Sequence, residues 1–284
     1  ANFDLAKVFD TVDHGYIRKV FSAYGFPAEF INMFETLYRS AESAVMNNGR
    51  TTKYFPLERG CRQGDPSSPY VFILAFEPLI REINARADIR GLPTPAGEIK
   101  CSVFADDLTA LIRSARDLDN VSESLKSFSE ISGLCINNDK TEILRLEGTP
   151  LPQEYTNLEK DCLKVTGIYH SAGRNQTLCK EENFDKALAN LRNITNLWRQ
   201  RNLSLLGRVQ VLKAQGLTQF THIANAIPIP QDILKTINKI VDKFIWGCPD
   251  RLKRKAVTLP ISEGGLNFPI PEEVFKAASV KWIR

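Results

Sequence analysis

Asp106 and Asp107 stand side by side in the middle of an otherwise largely apolar stretch, residues 99–112. Adjacent carboxylates repel, so each gains from a nearby proton or cation. Oxygen donors of this kind suit a hard divalent metal, and two metals held about 4 Å apart by carboxylates can drive in-line phosphoryl transfer. A third acid, Asp4, follows the apolar Phe3 close to the start of the chain. Between them lies a polar loop dense in Gly and Pro, Arg59-Gly60-Cys61-Arg62-Gln63-Gly64-Asp65-Pro66-Ser67-Ser68-Pro69. An Asp-Asp doublet alone equally describes an exposed acidic turn. The order of the three features points to metal-dependent chemistry on phosphates.

Such residues need elements to hold them. The runs flanking Asp106-Asp107 are rich in strand formers and predict a β-hairpin with its charge at the turn, and Asp4 sits at a strand end. Asp4 and Asp106 can meet only if their strands are neighbours in one sheet. Helical spacing runs from about His14 through Ile17, Val20, Phe21 and Tyr24, and again through Phe30, Ile31, Phe34 and Leu37. Asp13 is placed to cap the first of these helices. Asn48-Gly49 predicts a two-residue hairpin turn. Pro69 suits the first turn of an amphipathic helix with Phe72, Ala75, Phe76, Leu79, Ile80 and Ile83 as its buried stripe. Residues 91–97 read as a Gly/Pro loop. Leu118, Val121, Leu125, Phe128 and Ile131 mark a helix closed by Gly133, and apolar runs at 134–136, 143–144 and 163–165 read as strands. This order predicts an α+β fold, not a repeating βαβ one. Beyond about residue 175 the chain turns mostly helical, with faces at Phe184, Leu188, Leu191, Ile194 and Trp198, at Leu205, Leu206, Val209 and Leu212, and at Ile233, Ile237, Ile240, Val241 and Phe244.

With 284 residues, 43% hydrophobic and 25% charged, the composition is that of a globular protein with room for two domains. No apolar run approaches the ~20 residues of a membrane helix, so no membrane role is predicted. Charge is uneven: residues 180–284 carry 17 Lys and Arg against 9 Asp and Glu, the remainder 20 against 24. A basic half beside an acidic one suits a polyanion surface next to a metal site, or a plain solvated basic face. The six cysteines are scattered without a Cys-x-x-Cys pair, which predicts free thiols and neither a zinc site nor a disulfide framework. The start lacks an initiator Met, which predicts a piece of a longer protein.

Taken in order, these motifs resemble those of reverse transcriptases, of the non-LTR (LINE-type) retrotransposon kind. Asp4 to His14 (DLAKVFDTVDH) is similar to the family's first catalytic motif, Arg59 to Pro69 to the next, and Phe104-Ala105-Asp106-Asp107 to the Tyr-Ala-Asp-Asp box. Ser132-Gly133-Leu134 through Asn138-Asp139-Lys140-Thr141 is like the Gly/Lys motif that follows, and Val165-Thr166-Gly167-Ile168 resembles the primer grip. Leu203-Ser204-Leu205-Leu206-Gly207-Arg208-Val209, Phe244-Ile245-Trp246 and Gly264-Gly265-Leu266 are similar to the region beyond the polymerase core. Phe104 stands where the family has Tyr, Val8 where it has a small Ala, and Ser67 and Thr166 where Leu is usual.

The resemblance implies a polymerase palm, an antiparallel sheet packed by helices, with residual fingers over residues 1–175, and a mostly helical thumb over 176–284. It implies an RNA-directed DNA polymerase acting on an RNA template, a DNA primer and deoxynucleoside triphosphates. The implied cofactor is Mg²⁺, with Mn²⁺ able to stand in. Asp4, Asp106 and Asp107 are the implied catalytic carboxylates, and with the backbone carbonyl of Leu5 the implied metal ligands. Phe9 is the implied gate that clashes with a 2′-hydroxyl; otherwise it is a core Phe. Gln63 and Gly64 line the nucleotide, Arg62 contacts phosphate or pairs with Asp65, and Lys140 sits near the triphosphate or in a surface turn. Thr166 and Gly167 belong to the primer grip. Arg199, Arg201, Arg208, Lys213, Lys253, Arg254 and Lys255 would track the nucleic-acid backbone. The fingers that precede Asp4 in the family are missing from this sequence. No protein partner and no compartment are implied. Two alternatives stay open: a relic that binds nucleic acid without copying it, and an intron-encoded type of palm polymerase.

Overall fold

Alternation along the strands decides which way the acids face. In the computed structural model, which describes residues 1–6, 8–146, 151–172, 176–247 and 257–281, four strands pair antiparallel: β1 (Asn2–Ala6), β2 (Cys101–Phe104), β3 (Asp107–Ala110) and β4 (Cys135–Glu142). Their order is β4-β1-β3-β2, with the first strand in the interior of the sheet. Phe3 and Leu5 are buried, and Asp4 between them turns to the other face. Phe3 pairs with Leu108 in the core, and Asp4 pairs with Asp107.

Helices α1 (His14–Ala23), α2 (Ala28–Arg39), α3 (Ser68–Ala85) and α4 (Ala115–Ser132) complete the core around that buried face. Phe72, Ala75, Phe76, Leu79 and Ile83 form the buried stripe of α3, and Leu118, Val121, Leu125 and Phe128 that of α4. The α1 cap is Asp13, whose Oδ1 accepts from the Tyr16 N–H at 2.8 Å, and Gly133 closes α4 at φ 76°. Asn48 and Gly49 both adopt positive φ, as a type I′ hairpin turn requires. Two sequence expectations fail locally. Residues 91–97 are not a loop but part of a ribbon, Leu92–Thr94 against Gly97–Ile99, closed by the Thr94 hydroxyl on the Gly97 carbonyl at 2.7 Å. Ile143 makes only an isolated bridge to Glu159, so no strand forms at 143–144.

One buried cation holds the base of the Asp106-Asp107 hairpin. Lys100 is 7% exposed, and its Nζ donates to the carbonyls of Asn84 at 3.0 Å and Arg86 at 2.5 Å, at the C-terminal end of α3. These are carbonyls that a helix end leaves unpaired. Lys100→Met, which keeps the bulk and removes the donor, is expected to lower stability by about 2 kcal/mol in urea denaturation.

The chain divides into two compact units, Ala1–Thr166 and Gly167–Arg284. The second starts ahead of residue 175, where the sequence character changes. The Asn183 side chain bonds both the N–H (2.9 Å) and the carbonyl (2.8 Å) of Tyr169, tying strand Ile168–Ser171 to the long helix α5 (Gln176–Arg199). Its core also draws on α6 (Leu205–Val211), α7 (Gln231–Trp246) and α8 (Pro271–Val280). Leu205 and Leu206, expected to be buried, are 40% and 44% exposed, whereas Val209 and Leu212 carry the packing. The mixture of helix, 55% of the described residues, with antiparallel sheet agrees with the α+β expectation. Cys61, Cys101 and Cys135 are free thiols, but Cys162 and Cys179 are disulfide-bonded, a correction to the expectation of free thiols throughout. No helix among the described residues is long and apolar enough to cross a membrane.

Candidate active site

Register places Asp4 directly across from Asp107 on neighbouring strands, and cross-strand partners have Cα atoms about 5 Å apart. Asp106 precedes Asp107 in the tight turn 105–106. There Ala105 takes φ 54°, the positive value that a type II′ turn requires at its first central residue. The Asp107 carboxyl is held above the usual carboxylate range, first by its burial, then by the charges of Asp106 and Asp4, with Lys164 pulling the other way. Lys140 reaches Asp4 from the far side, Nζ to Oδ2 at 3.3 Å. The β1–β4 register shifts between Asn2 and Asp4, and such an irregularity re-aims side chains. Sequence reading missed Lys164. Its strand, Cys162–Val165, was visible, but not that it would lie near an acid so distant in sequence.

The polar loop is fastened to the segment that follows Asp4. The N–H of Cys61 donates to the carbonyl of Phe9 at 2.5 Å, and that of Gly60 to Val12 at 2.8 Å. Asp13 and Arg59 form an isolated bridge, and His14 Nε2 lies 2.8 Å from the Gly60 carbonyl. Gly60 has φ 86°, and a Cβ there would stand 2.7 Å from the Phe9 carbonyl oxygen. Neither Gly60 nor His14 was singled out by sequence; a glycine among Gly/Pro residues and a lone His carry no signal of partners so far along the chain. Phe9 packs its half-buried ring against Phe72, centroids 5.0 Å apart. The Arg62 guanidinium donates to the Leu37 carbonyl and lies 5.2 Å over the Tyr38 ring, and its charge is felt at Asp65. Asp65 bonds instead the Ser67 N–H and hydroxyl, both at 2.8 Å, which holds its carboxyl below the usual range. Gln63 and Gly64 form the exposed turn of the loop, Gly64 at φ 86° with open space around it. Burial pushes the Cys61 thiol up to about 11.

The other predicted residues fall in different settings. Thr166 and Gly167 make a tight turn with both φ positive, 47° and 86°, uncommon for a β-branched residue. In the second unit Arg199 donates to the Lys243 carbonyl at 2.8 Å, and Arg208 to Ile245 at 2.7 Å and Phe244 at 3.3 Å. Both guanidiniums thus satisfy the last carbonyls of α7. Arg201 is exposed and Lys213 half-buried. Lys253, Arg254 and Lys255 lie outside the described residues.

Residues 1–196 match the family model of the reverse transcriptase (RNA-dependent DNA polymerase). The chain belongs to the reverse transcriptase family. It is 28% identical over 93% of its length to a transposon TX1 protein of Xenopus laevis, and 30% identical over 58% to the Pol polyprotein of the R2DM retrotransposable element of Drosophila melanogaster. It spans 20% and 15% of those two proteins. Its fold is similar to that of the Candida albicans telomerase solved with a fragment of telomeric RNA, at a TM-score of 0.51 and 11% identity, covering 87% of this chain and 47% of the telomerase.

Reverse transcriptases generally use divalent metal ions. Among the described residues no three His, Cys, Asp or Glu side chains converge into a group that could hold one. The donor chemistry nonetheless fits: Asp4, Asp106 and Asp107 offer only oxygen, and the mutual repulsion felt at Asp107 is relieved by added positive charge. Lys140 is the cation that meets Asp4 as the chain stands.

Proposed function

We propose that this chain is the polymerase core of a non-LTR retrotransposon reverse transcriptase, an RNA-directed DNA polymerase that extends a DNA primer along an RNA template with deoxynucleoside triphosphates. The observation that carries this reading is the pairing of Asp4 with Asp107 across adjacent strands, with Asp106 in the turn beside them. The first unit serves as the palm and the helical second unit as the thumb.

Asp4, Asp106, Asp107 and the Leu5 carbonyl would hold Mg²⁺, with Mn²⁺ as a substitute. When bound, such ions lower the pKa of the primer 3′-hydroxyl and neutralise charge on the departing pyrophosphate. Lys140 balances Asp4 at rest and turns its ammonium to the triphosphate as the nucleotide enters. The Phe9 ring, backed by Phe72, closes the space that a 2′-hydroxyl would need. Gln63 and Gly64 lie against the nucleotide and template, where the absence of a Gly64 side chain allows close backbone approach. With Arg199 and Arg208 engaged on α7, backbone tracking falls to Arg201, Lys213 and the other basic residues of the second unit.

Primer extension on poly(rA)/oligo(dT) by the full-length protein is the test. Incorporation that requires Mg²⁺ and disappears in Asp4→Asn supports the reading. Binding of the template-primer without any incorporation overturns it in favour of a relic that binds and does not copy. For the gate, Phe9→Val is expected to raise ribonucleotide incorporation relative to deoxynucleotide at least tenfold, as a steric exclusion worth about 1.4 kcal/mol or more is removed. Unchanged discrimination in single-nucleotide extension would reject that role.

A further inference from the structure

His14 ends the Asp4–His14 motif without a role of its own in it, yet it stands where two parts of the site meet. Its ring opens α1, just after the cap residue Asp13. The acceptor on the Gly60 side is a carbonyl oxygen, so Nε2 must carry the proton of the 2.8 Å bond. The ring also packs edge-on against Tyr38, centroids 5.0 Å apart, and against Phe34 at 6.5 Å. Tyr38 in turn carries the Arg62 guanidinium on its face. One imidazole therefore links the backbone of the Gly60 loop to the aromatic support under Arg62.

The same loop is bonded by backbone to Phe9 and Val12. Two backbone bonds fix its near end, and Arg62 on the Leu37 carbonyl fixes the stretch beyond. Gln63 and Gly64 are the next residues, in the exposed turn. Their distance from Phe9 is thus set by whether Gly60 keeps its place. His14 also lines a cleft of about 620 Å³ together with Phe34, Tyr38, Arg18, Glu35 and Glu58. The ring is half-buried, so a substitution there does not leave a sealed void.

We propose that His14 is a positioning residue for the nucleotide. Its Nε2–H bond to the Gly60 carbonyl holds Gln63-Gly64 at the correct spacing from the Phe9 ring, and so sets both nucleotide affinity and the sharpness of sugar selection. This rests on the polymerase reading above, because it presumes that Phe9 and Gln63-Gly64 face the same nucleotide.

The decisive variant is His14→Phe, which keeps a ring against Tyr38 and removes the donor; His14→Gln keeps a donor and loses the ring. Steady-state single-nucleotide extension is expected to show the KM for the deoxynucleotide about tenfold higher in His14→Phe, as befits a carbonyl left without its partner. The kcat should fall less than threefold, discrimination against ribonucleotides should weaken, and His14→Gln should recover most of the loss. A fall in kcat at constant KM, or no change in either, overturns the proposal and leaves His14 a packing residue. Hydrogen exchange of the Gly60 and Cys61 amides is measured on the same proteins without substrate. Faster exchange in His14→Phe and not in His14→Gln is expected; equal exchange in all three overturns the positioning role. A wild-type protein that extends no primer would defeat the polymerase reading, while the exchange comparison would still decide whether His14 holds the loop.

Discussion

Asp106→Asn is expected to reduce Mg²⁺-dependent primer extension by at least a thousandfold while making the fold slightly more stable. Loss of an anionic ligand at a phosphoryl-transfer site removes charge stabilisation that binding elsewhere cannot replace. The stability gain comes from the same charge. Asp107 is held above the ordinary carboxylate range by burial and then by Asp106 and Asp4, so the folded chain binds that proton more tightly than the unfolded one. A group with a raised carboxyl pKa disfavours folding as pH rises through its folded value, and this cost vanishes below its unfolded value. Removing the Asp106 charge flattens that slope. Thermal unfolding between pH ~3 and ~7 should give a Tm for Asp106→Asn about 2 °C above wild type at the upper end, converging at the lower end. Equal curves at both ends would mean that Asp106 and Asp107 do not sense each other. Retained extension would mean that Asp106 is not a ligand.

Gly60→Ala is expected to be strongly destabilising to the first unit. The added Cβ would stand 2.7 Å from the Phe9 carbonyl oxygen and 2.8 Å from the Asp10 Cα, on a backbone at φ 86°. These are main-chain atoms fixed by the Cys61–Phe9 and Gly60–Val12 bonds, so neither side can yield cheaply. Left-handed strain and overpacking together amount to about 3 kcal/mol, or a Tm loss near 8 °C for a unit of this size. Gly64→Ala is the internal control. It shares φ 86° but has nothing within 4 Å, so only the conformational part, about 1 kcal/mol, applies. Calorimetry on the two variants separates clash from dihedral strain, and equal losses would rule out the close approach at Gly60.

The strands and helices that carry the acids could be read from local chemistry. Asp106-Asp107 between strand-forming runs, Asn48-Gly49 as a turn, Asp13 as a cap and Gly133 as a helix stop each act within a few residues, where side-chain type dictates backbone conformation. What escaped was anything decided at long range. Nothing local in His14 announces Gly60, and nothing in Lys164 announces Asp107. The bonds of Arg199 and Arg208 to the last carbonyls of α7 were equally hidden, because a sequence shows charge but not a helix end many residues away. Leu205 and Leu206 fit a helical stripe, yet periodicity cannot say which part of a short helix reaches the core. The ribbon at 92–99 was hidden because Gly and Pro mark turns and say little about whether the segments they join will pair.

The interior position of β1 also shapes how the molecule is made. That strand is made before the other strands of its sheet, and its two neighbours, β3 and β4, come from residues 107–110 and 135–142. At a ribosomal rate of about 5–20 residues per second, β1 waits roughly 7 to 27 seconds for both flanks to emerge. Until residue 110 has emerged Phe3 and Leu5 have no sheet to join, and a nascent chain halted before residue 135 would leave β1 on an open edge, a target for chaperones and for self-association.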